Sequence, residues 1–349
     1  PISQFRYLTE DERTFRKKTI SFLRFLKSKG ATVVFTSETK SGATDEDLRY
    51  ISDGIISLRY REKRTLTITK LRGSGFQSGD HAVKIVGDGM HVYPEMLPKE
   101  HGIEFTEETV SSGIGELDSL IGGGIERGTT SIITGPSGAG KTTVGTQFMT
   151  EAARRDEKSV IYMFEEAKKT LTHRSREIGM PIDSMLEEGN LVIEEVEPLA
   201  VSAEEFAHNV LKEVEEGGAQ VVMIDGIAGY RMSLLGNEGD ELTRKLHALC
   251  RCLKNLGVTV VLISETTSIV GKFTATEDNL SYLADNIFFI RYMGETGEIR
   301  RSIGVLKKRA SDFERTVREM KITSEGVEVG KPLTNLKGAL GSIPELEKE

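Results

Sequence analysis

The sequence has only two cysteines, no apolar run near the roughly 18 residues that a membrane helix needs, and no opening charged-then-apolar targeting segment. These absences exclude a disulfide-stapled scaffold and an integral helical membrane protein, and the expected compartment is the cytoplasm. The cysteines, Cys250 and Cys252, stand two apart on a predicted helix, so they point to different sides and are read as unbridged thiols. With six scattered histidines they lack the spacing of a zinc motif. A hydrophobic share of 38% against 29% charged residues excludes disorder and fibre, and 349 residues suffice for about two domains.

Charge is unevenly placed. Residues 1–100 carry 18 Lys and Arg against 13 Asp and Glu, whereas the remainder carries 28 against 41. A basic opening and an acidic remainder fit a nucleic-acid surface, basic residues aimed at a neighbour's phosphates, or a merely solvated basic face.

The chain repeats itself. "FLKSKGATVVFTSET" from Phe25 is echoed by "CLKNLGVTVVLISET" from Cys252, and "SDGIISLRY" from Ser52 by "ADNIFFIRY" from Ala284. Only the second copy is preceded by a phosphate-binding pattern, so residues 1–97 correspond to the last part of a module, 98–106 to a linker and 107–330 to a complete module. Residues 331–349 form an extended tail. The chain is expected to be a fragment whose first P-loop lies upstream, and the partial module is expected to expose a sheet edge.

"TSIIT" (Thr130–Thr134), "SVIYMF" (Ser159–Phe164), "AQVVMID" (Ala219–Asp225) and "VTVVLIS" (Val258–Ser264) are short apolar runs rich in β-branched residues, the pattern of buried parallel strands. A helix over Thr142–Arg154 carries Val144, Phe148, Met149 and Ala152 on one stripe. Alternating strands and helices predict a doubly wound α/β fold.

The segment Gly135–Thr142 reads GxxxxGK[ST] between a strand and a helix, the context that makes this pattern specific. Gly135, Pro136, Ser137, Gly138, Ala139 and Gly140 form the loop, whose glycines let consecutive N–H groups face the phosphates of ATP. Lys141 reaches the β- and γ-phosphates, Thr142 offers its hydroxyl to Mg²⁺, and Thr143 follows in the first helical turn. Asp225, at the carboxyl end of an apolar strand, is the second candidate for the metal. Glu165 and Glu166 close another strand at the same rim, where one of them can orient and activate the attacking water and Glu165 can also face the metal.

The P-loop, the paired glutamates in "YMFEEAKKTL", "IGM" at Ile178–Met180 and "KLRGS" at Lys70–Ser74 together resemble the RecA-like KaiC ATPases, over nearly the whole chain. The resemblance implies a RecA-like P-loop fold with a mostly parallel sheet flanked by helices, and ATP hydrolysis with Mg²⁺. It also implies a homo-oligomer, a double-layered hexamer with nucleotide between subunits, and regulatory protein partners. It assigns Lys70, Leu71, Arg72 and Ser74 to a first-layer site on the adjacent subunit, and Arg301, Lys307, Lys308 and Arg309 to a second-layer one. It further implies autophosphorylation, with Ser281 and Thr276 as acceptors; Tyr282 stands where the family has a second acceptor, and Arg49 and Tyr50 occupy the paired positions of the first copy. Two other readings stay open at this point. A RecA-like recombinase or helicase would couple hydrolysis to DNA, but the complete module is acidic and has no long basic, glycine-rich loop after Thr266. A non-catalytic nucleotide-gated scaffold is disfavoured by the intact Lys141 and Glu165.

Overall fold

The computed structural model describes residues 1–38, 46–61, 63–97, 108–234, 239–266, 280–295, 298–334, 336–337 and 345–346. The expected linker 98–106 and the candidate acceptor Thr276 both lie outside them. Two compact units emerge, Pro1–Pro94 and Glu95–Glu349.

In the first unit, helix α1 (Glu12–Ser28) starts at Asp11, whose carboxylate accepts from Thr14 N at 2.9 Å, a standard N-cap. Helix α2 (Glu46–Ile51) follows, then strands β1 (Gly54–Tyr60), β2 (Arg64–Leu71), β3 (His81–Val86) and β4 (Gly89–Tyr93), which form an antiparallel sheet in chain order. The core is small: Ile2, Phe15 and Leu48 are buried, with Leu23, Phe35 and Ile51 against them.

The second unit opens with a short antiparallel pair, β5 (Thr109–Val110) and β6 (Ile125–Glu126), around helix α3 (Gly115–Leu120). Strand β7 (Thr130–Gly135) leads to α4 (Lys141–Arg154), and β8 (Ser159–Met163) to α5 (Lys168–Glu177) and α6 (Ile182–Glu188). Next come β9 (Leu191–Glu195), α7 (Ala203–Glu215), β10 (Val221–Asp225), α8 (Ile227–Met232), α9 (Gly239–Asn255) and β11 (Thr259–Glu265). The long strands β12 (Asn286–Glu295) and β13 (Glu298–Lys308) precede β14 (Val317–Thr323), β15 (Gly326–Pro332), β16 (Leu336–Lys337) and β17 (Glu345–Leu346). The sheet runs β15–β14–β13–β12–β7–β11–β10–β8–β9, parallel from β12 to β9 and antiparallel from β12 to β15. This is the mostly parallel, helix-flanked RecA-like sheet that the resemblance implies, with the alternation of strands and helices that the pattern predicts.

Alternation along each strand builds both faces. Ile133, Ile161, Met223, Val261 and Ile263 pack with Val144, Phe148 and Met149 of α4, whereas Ile132, Val160, Val222, Ile224 and Leu262 pack with Phe206, Leu242, Leu246 and Leu249 of α7 and α9. Among the described residues no helix is long and apolar enough to cross a membrane. Strand β15 reaches Pro332 and β17 pairs Glu345 with Gly294, so part of the segment expected as a tail from Lys331 is built into the sheet.

The repeat is visible in three dimensions. A β-bulge after Ile55 in the β1–β2 ladder recurs after Ile287 in the β12–β13 ladder. One stretch departs from its echo: Thr259–Glu265 is a central strand, while Ala31–Glu38 forms none and leaves Val34 88% exposed. The strand β11 has β7 on one side and β10 on the other, and the first unit supplies neither neighbour to its copy. Likewise Phe288 and Ile290 of β12 are buried, while their counterparts Ile56 and Leu58 on the edge strand β1 are exposed.

Candidate nucleotide site

The P-loop begins where β7 ends. Its backbone needs glycine: Gly138 and Gly140 have φ of +73° and +101°, and a Cβ on Gly140 would sit 2.7 Å from Ile322 Cδ1. Tyr292 of β12 donates its hydroxyl to Ser137 O at 3.1 Å, tying the loop to the neighbouring strand. Lys141 is buried at the start of α4 and donates to Pro136 O at 2.9 Å. Burial lowers its ammonium below the ordinary lysine range, against the pull of Glu265, Asp225 and Glu165.

Thr142, one residue on, donates its hydroxyl to Asp225 Oδ1 at 3.3 Å. Asp225 ends β10, a strand separated from β7 only by β11, so strand order and register bring two residues distant in sequence into contact. Burial pushes the Asp225 carboxyl up to about 6; the Thr142 hydroxyl and Arg174 oppose this, and the charges of Glu166 and Glu165 add to it. A hydroxyl beside a carboxylate suits Mg²⁺, a hard cation that takes one or two carboxylates and keeps several waters. Among the described residues no group of three or more His, Cys, Asp or Glu side chains converges as a metal cage.

Glu165 and Glu166 follow β8, which pairs with β10. They are not equivalent. Arg174 of α5 donates to both Glu166 oxygens, at 2.8 and 2.9 Å, whereas Glu165 Oε1 accepts from Gly229 N at 3.2 Å. Gly226, φ +98°, makes room for Glu165: a Cβ there would fall 2.8 Å from Glu165 Cγ. Sequence reasoning missed Arg174 and Glu265; the latter ends β11 opposite Gly135, and an acidic residue closing a strand beside β7 was the available signal.

The basic residues divide into separate groups. Lys307 Nζ donates to Ser281 O at 2.8 Å and Ala284 O at 2.6 Å, and Arg309 to Tyr282 O at 3.2 Å. Their copies behave alike: Lys70 Nζ donates to Arg49 O and Tyr50 O at 2.8 and 3.1 Å, and Arg72 to Tyr50 O at 3.2 Å. Leu71 and Ser74 flank them, and Ser74 Oγ donates to Gly75 O at 3.2 Å. Lys308 differs, because its buried ammonium pairs with Glu126 at 2.9 Å and donates to Gly124 O at 3.0 Å. Arg301 stands opposite Tyr292, on the P-loop side of β13, and so apart from Lys307 and Arg309. Those two lie beside Asn286, which pairs with Ser131 at the amino end of β7. Lys307 stands opposite Ile287, level with Ile132, and Arg309 bonds to Asp285, level with Thr130, so at about 3.3 Å per residue β7 sets them roughly 10 Å and 16 Å along the strand from Gly135, where the P-loop of their own chain begins. Ser281 is partly buried in a 3₁₀ turn, Leu280–Tyr282.

The sequence profile of the family described as "ATPase: KaiC" matches residues 1–96 and 110–334. The chain belongs to the KaiC ATPase family. The circadian clock oscillator protein KaiC of Acaryochloris marina is 25% identical over 94% of this chain. The circadian clock protein KaiC3 of Synechocystis is 26% identical over 96% of it, and the KaiC oscillator protein of Synechococcus elongatus 23% over 94%. The chain spans 64% of the first and third of these KaiC relatives and 67% of the second. Its phosphate loop lies within the second matched segment.

Proposed function

We infer that this KaiC-family chain binds MgATP at Gly135–Thr143 and hydrolyses it, within a ring in which neighbouring subunits complete each other's sites. The contact between Thr142 and Asp225 carries the reading, because it sets a hydroxyl and a carboxylate side by side at the mouth of a phosphate loop. Loop N–H groups and the α4 amino terminus would hold the phosphates, and Lys141 would leave Pro136 O for the β- and γ-oxygens. Magnesium held by Thr142 and Asp225 would offset charge on the transferred phosphoryl group. Glu165 is the candidate to orient and deprotonate water, since Arg174 engages both oxygens of Glu166. Lys307 and Arg309 would meet a phosphate on the adjacent subunit; their distance from their own P-loop supports that assignment, and a cation supplied in trans stabilises transition-state charge.

Steady-state phosphate release from the full chain tests this reading. Turnover that Lys141→Ala abolishes is expected; unchanged affinity and turnover in that variant would overturn the assignment. Phosphoryl transfer to Ser281 is the accompanying proposal, supported by its place in the turn held by Lys307 and Arg309. Mass spectrometry after incubation with ATP should find phosphate on Ser281 or Thr276, and none on either would remove the kinase activity.

A further inference from the structure

We propose that Asp285 is the positioning residue for Arg309, fixing the guanidinium that serves the adjacent subunit; the inference rests on the trans role of Arg309 given above. Asp285 is buried and held from several sides. Its Oδ2 accepts from Thr130 N at 3.1 Å, and Lys254 Nζ donates to both carboxylate oxygens at 3.2 and 3.0 Å. Its backbone adds two bonds, Asp285 N to Thr130 O at 2.8 Å and Arg309 N to Asp285 O at 3.1 Å. The carboxylate is therefore anchored to β7 and α9 before the Arg309 side chain is considered.

Arg309 is the exposed partner, with its side chain 52% accessible. One terminal nitrogen lies 3.6 Å from Asp285 Oδ1 and the other donates to Tyr282 O, so two of its directions are fixed. An unrestrained arginine loses rotamer freedom when it is ordered against a phosphate, and a guanidinium already held by a buried acid loses less.

The first unit, the other copy of the repeat, keeps the arrangement. Asp53 accepts from Lys27 at 2.9 Å and lies 3.5 Å from Arg72, while Arg72 N donates to Asp53 O at 2.8 Å. Lys27, Asp53 and Arg72 occupy the positions of Lys254, Asp285 and Arg309 in the repeat. The two units differ in surroundings, since Asp53 is exposed where Asp285 is buried, yet the lysine–aspartate–arginine relay reappears with the same backbone bond.

Mixed assemblies test the proposal, because Asp285 acts through the arginine that its subunit lends and not through its own P-loop. Asp285→Asn is expected to lower kcat about tenfold with KM for ATP little changed. Mixing it with Lys141→Ala, which keeps Asp285 and Arg309 but has no working P-loop, should raise turnover above the sum of the two separate preparations. The double variant Asp285→Asn with Arg309→Ala should be no slower than Arg309→Ala alone. Full turnover in Asp285→Asn, no gain on mixing, or losses that multiply in the double variant would each overturn it. Should asparagine fail to support the fold, Asp285→Ser takes its place in the same mixture. If Arg309→Ala itself keeps full turnover, the trans reading fails; if Arg309→Ala is impaired and Asp285→Asn is not, only the positioning role does.

Discussion

Arg174 donates to both carboxylate oxygens of Glu166, whereas Glu165, one residue earlier, accepts from the Gly229 amide. Two adjacent glutamates at one rim thus have different surroundings, and their substitutions separate. Glu165→Gln is expected to lower ATP turnover by about 10²–10⁴-fold while nucleotide binding persists. Glu166→Gln keeps an amide that one arginine N–H can still meet and should cost about tenfold or less. Phosphate-release assays beside equilibrium nucleotide binding decide this, and equal losses would show that the Arg174 contact does not distinguish the pair.

Asp225 yields a pH prediction. Its folded-state carboxyl, raised to about 6 from an ordinary 3.8, binds its proton more tightly than in the unfolded chain. Without metal or nucleotide, that group's contribution therefore falls as pH rises from about 4 to 6, by on the order of 3 kcal/mol. Asp225→Asn should melt higher than the parent above pH 6 in EDTA, and the difference should vanish near pH 4. With Mg²⁺ present the same variant should lose nucleotide turnover, because an amide is a weaker metal ligand.

Lys308 and its neighbours should part company. Its pair with Glu126 is buried, and removing one partner leaves an uncompensated charge, at a cost of about 3–5 kcal/mol. Lys308→Ala is expected to lower the melting temperature by about 10 °C. Lys307→Ala and Arg309→Ala should shift melting little and turnover strongly. Calorimetry with turnover measured well below the transition separates the two outcomes.

Gly145 lies on α4 where a Cβ would meet Met223 Sδ at 2.7 Å and Ile263 Cδ1 at 3.0 Å. Gly145→Ala improves helix propensity but overpacks the contact between the P-loop helix and the sheet, a cost of about 1–3 kcal/mol. A lower melting temperature is expected, with weaker ATP binding as α4 is pushed outward. A higher melting temperature would show that the sheet yields.

Much of the site was legible because phosphate binding is a local problem. Gly138, Gly140, Lys141 and Thr142 must be near one another in sequence, since a single turn of backbone and the start of one helix do the work. Asp225 could be found from its place at the end of an apolar run. Arg174 could not be found this way, because its partnership with Glu166 depends on how α5 turns back over β8. Lys308 stood in the same basic cluster as Lys307 and Arg309, and only the folded structure shows that its face of the strand, opposite theirs, meets Glu126 and Gly124.

Strand runs, the phosphate loop and the internal repeat are properties of residue order, set by periodicity and by the few conformations open to glycine and β-branched residues. Which repeated segments become strands is a property of neighbours. Val258–Ser264 lies in a sheet because β7 and β10 flank it, while Ala31–Glu38, with nearly the same residues, has no strand on either side among the described residues and forms none. Backbone hydrogen bonds between parallel strands are made between segments distant in the chain, so the folded arrangement, not the local pattern, decides whether they exist.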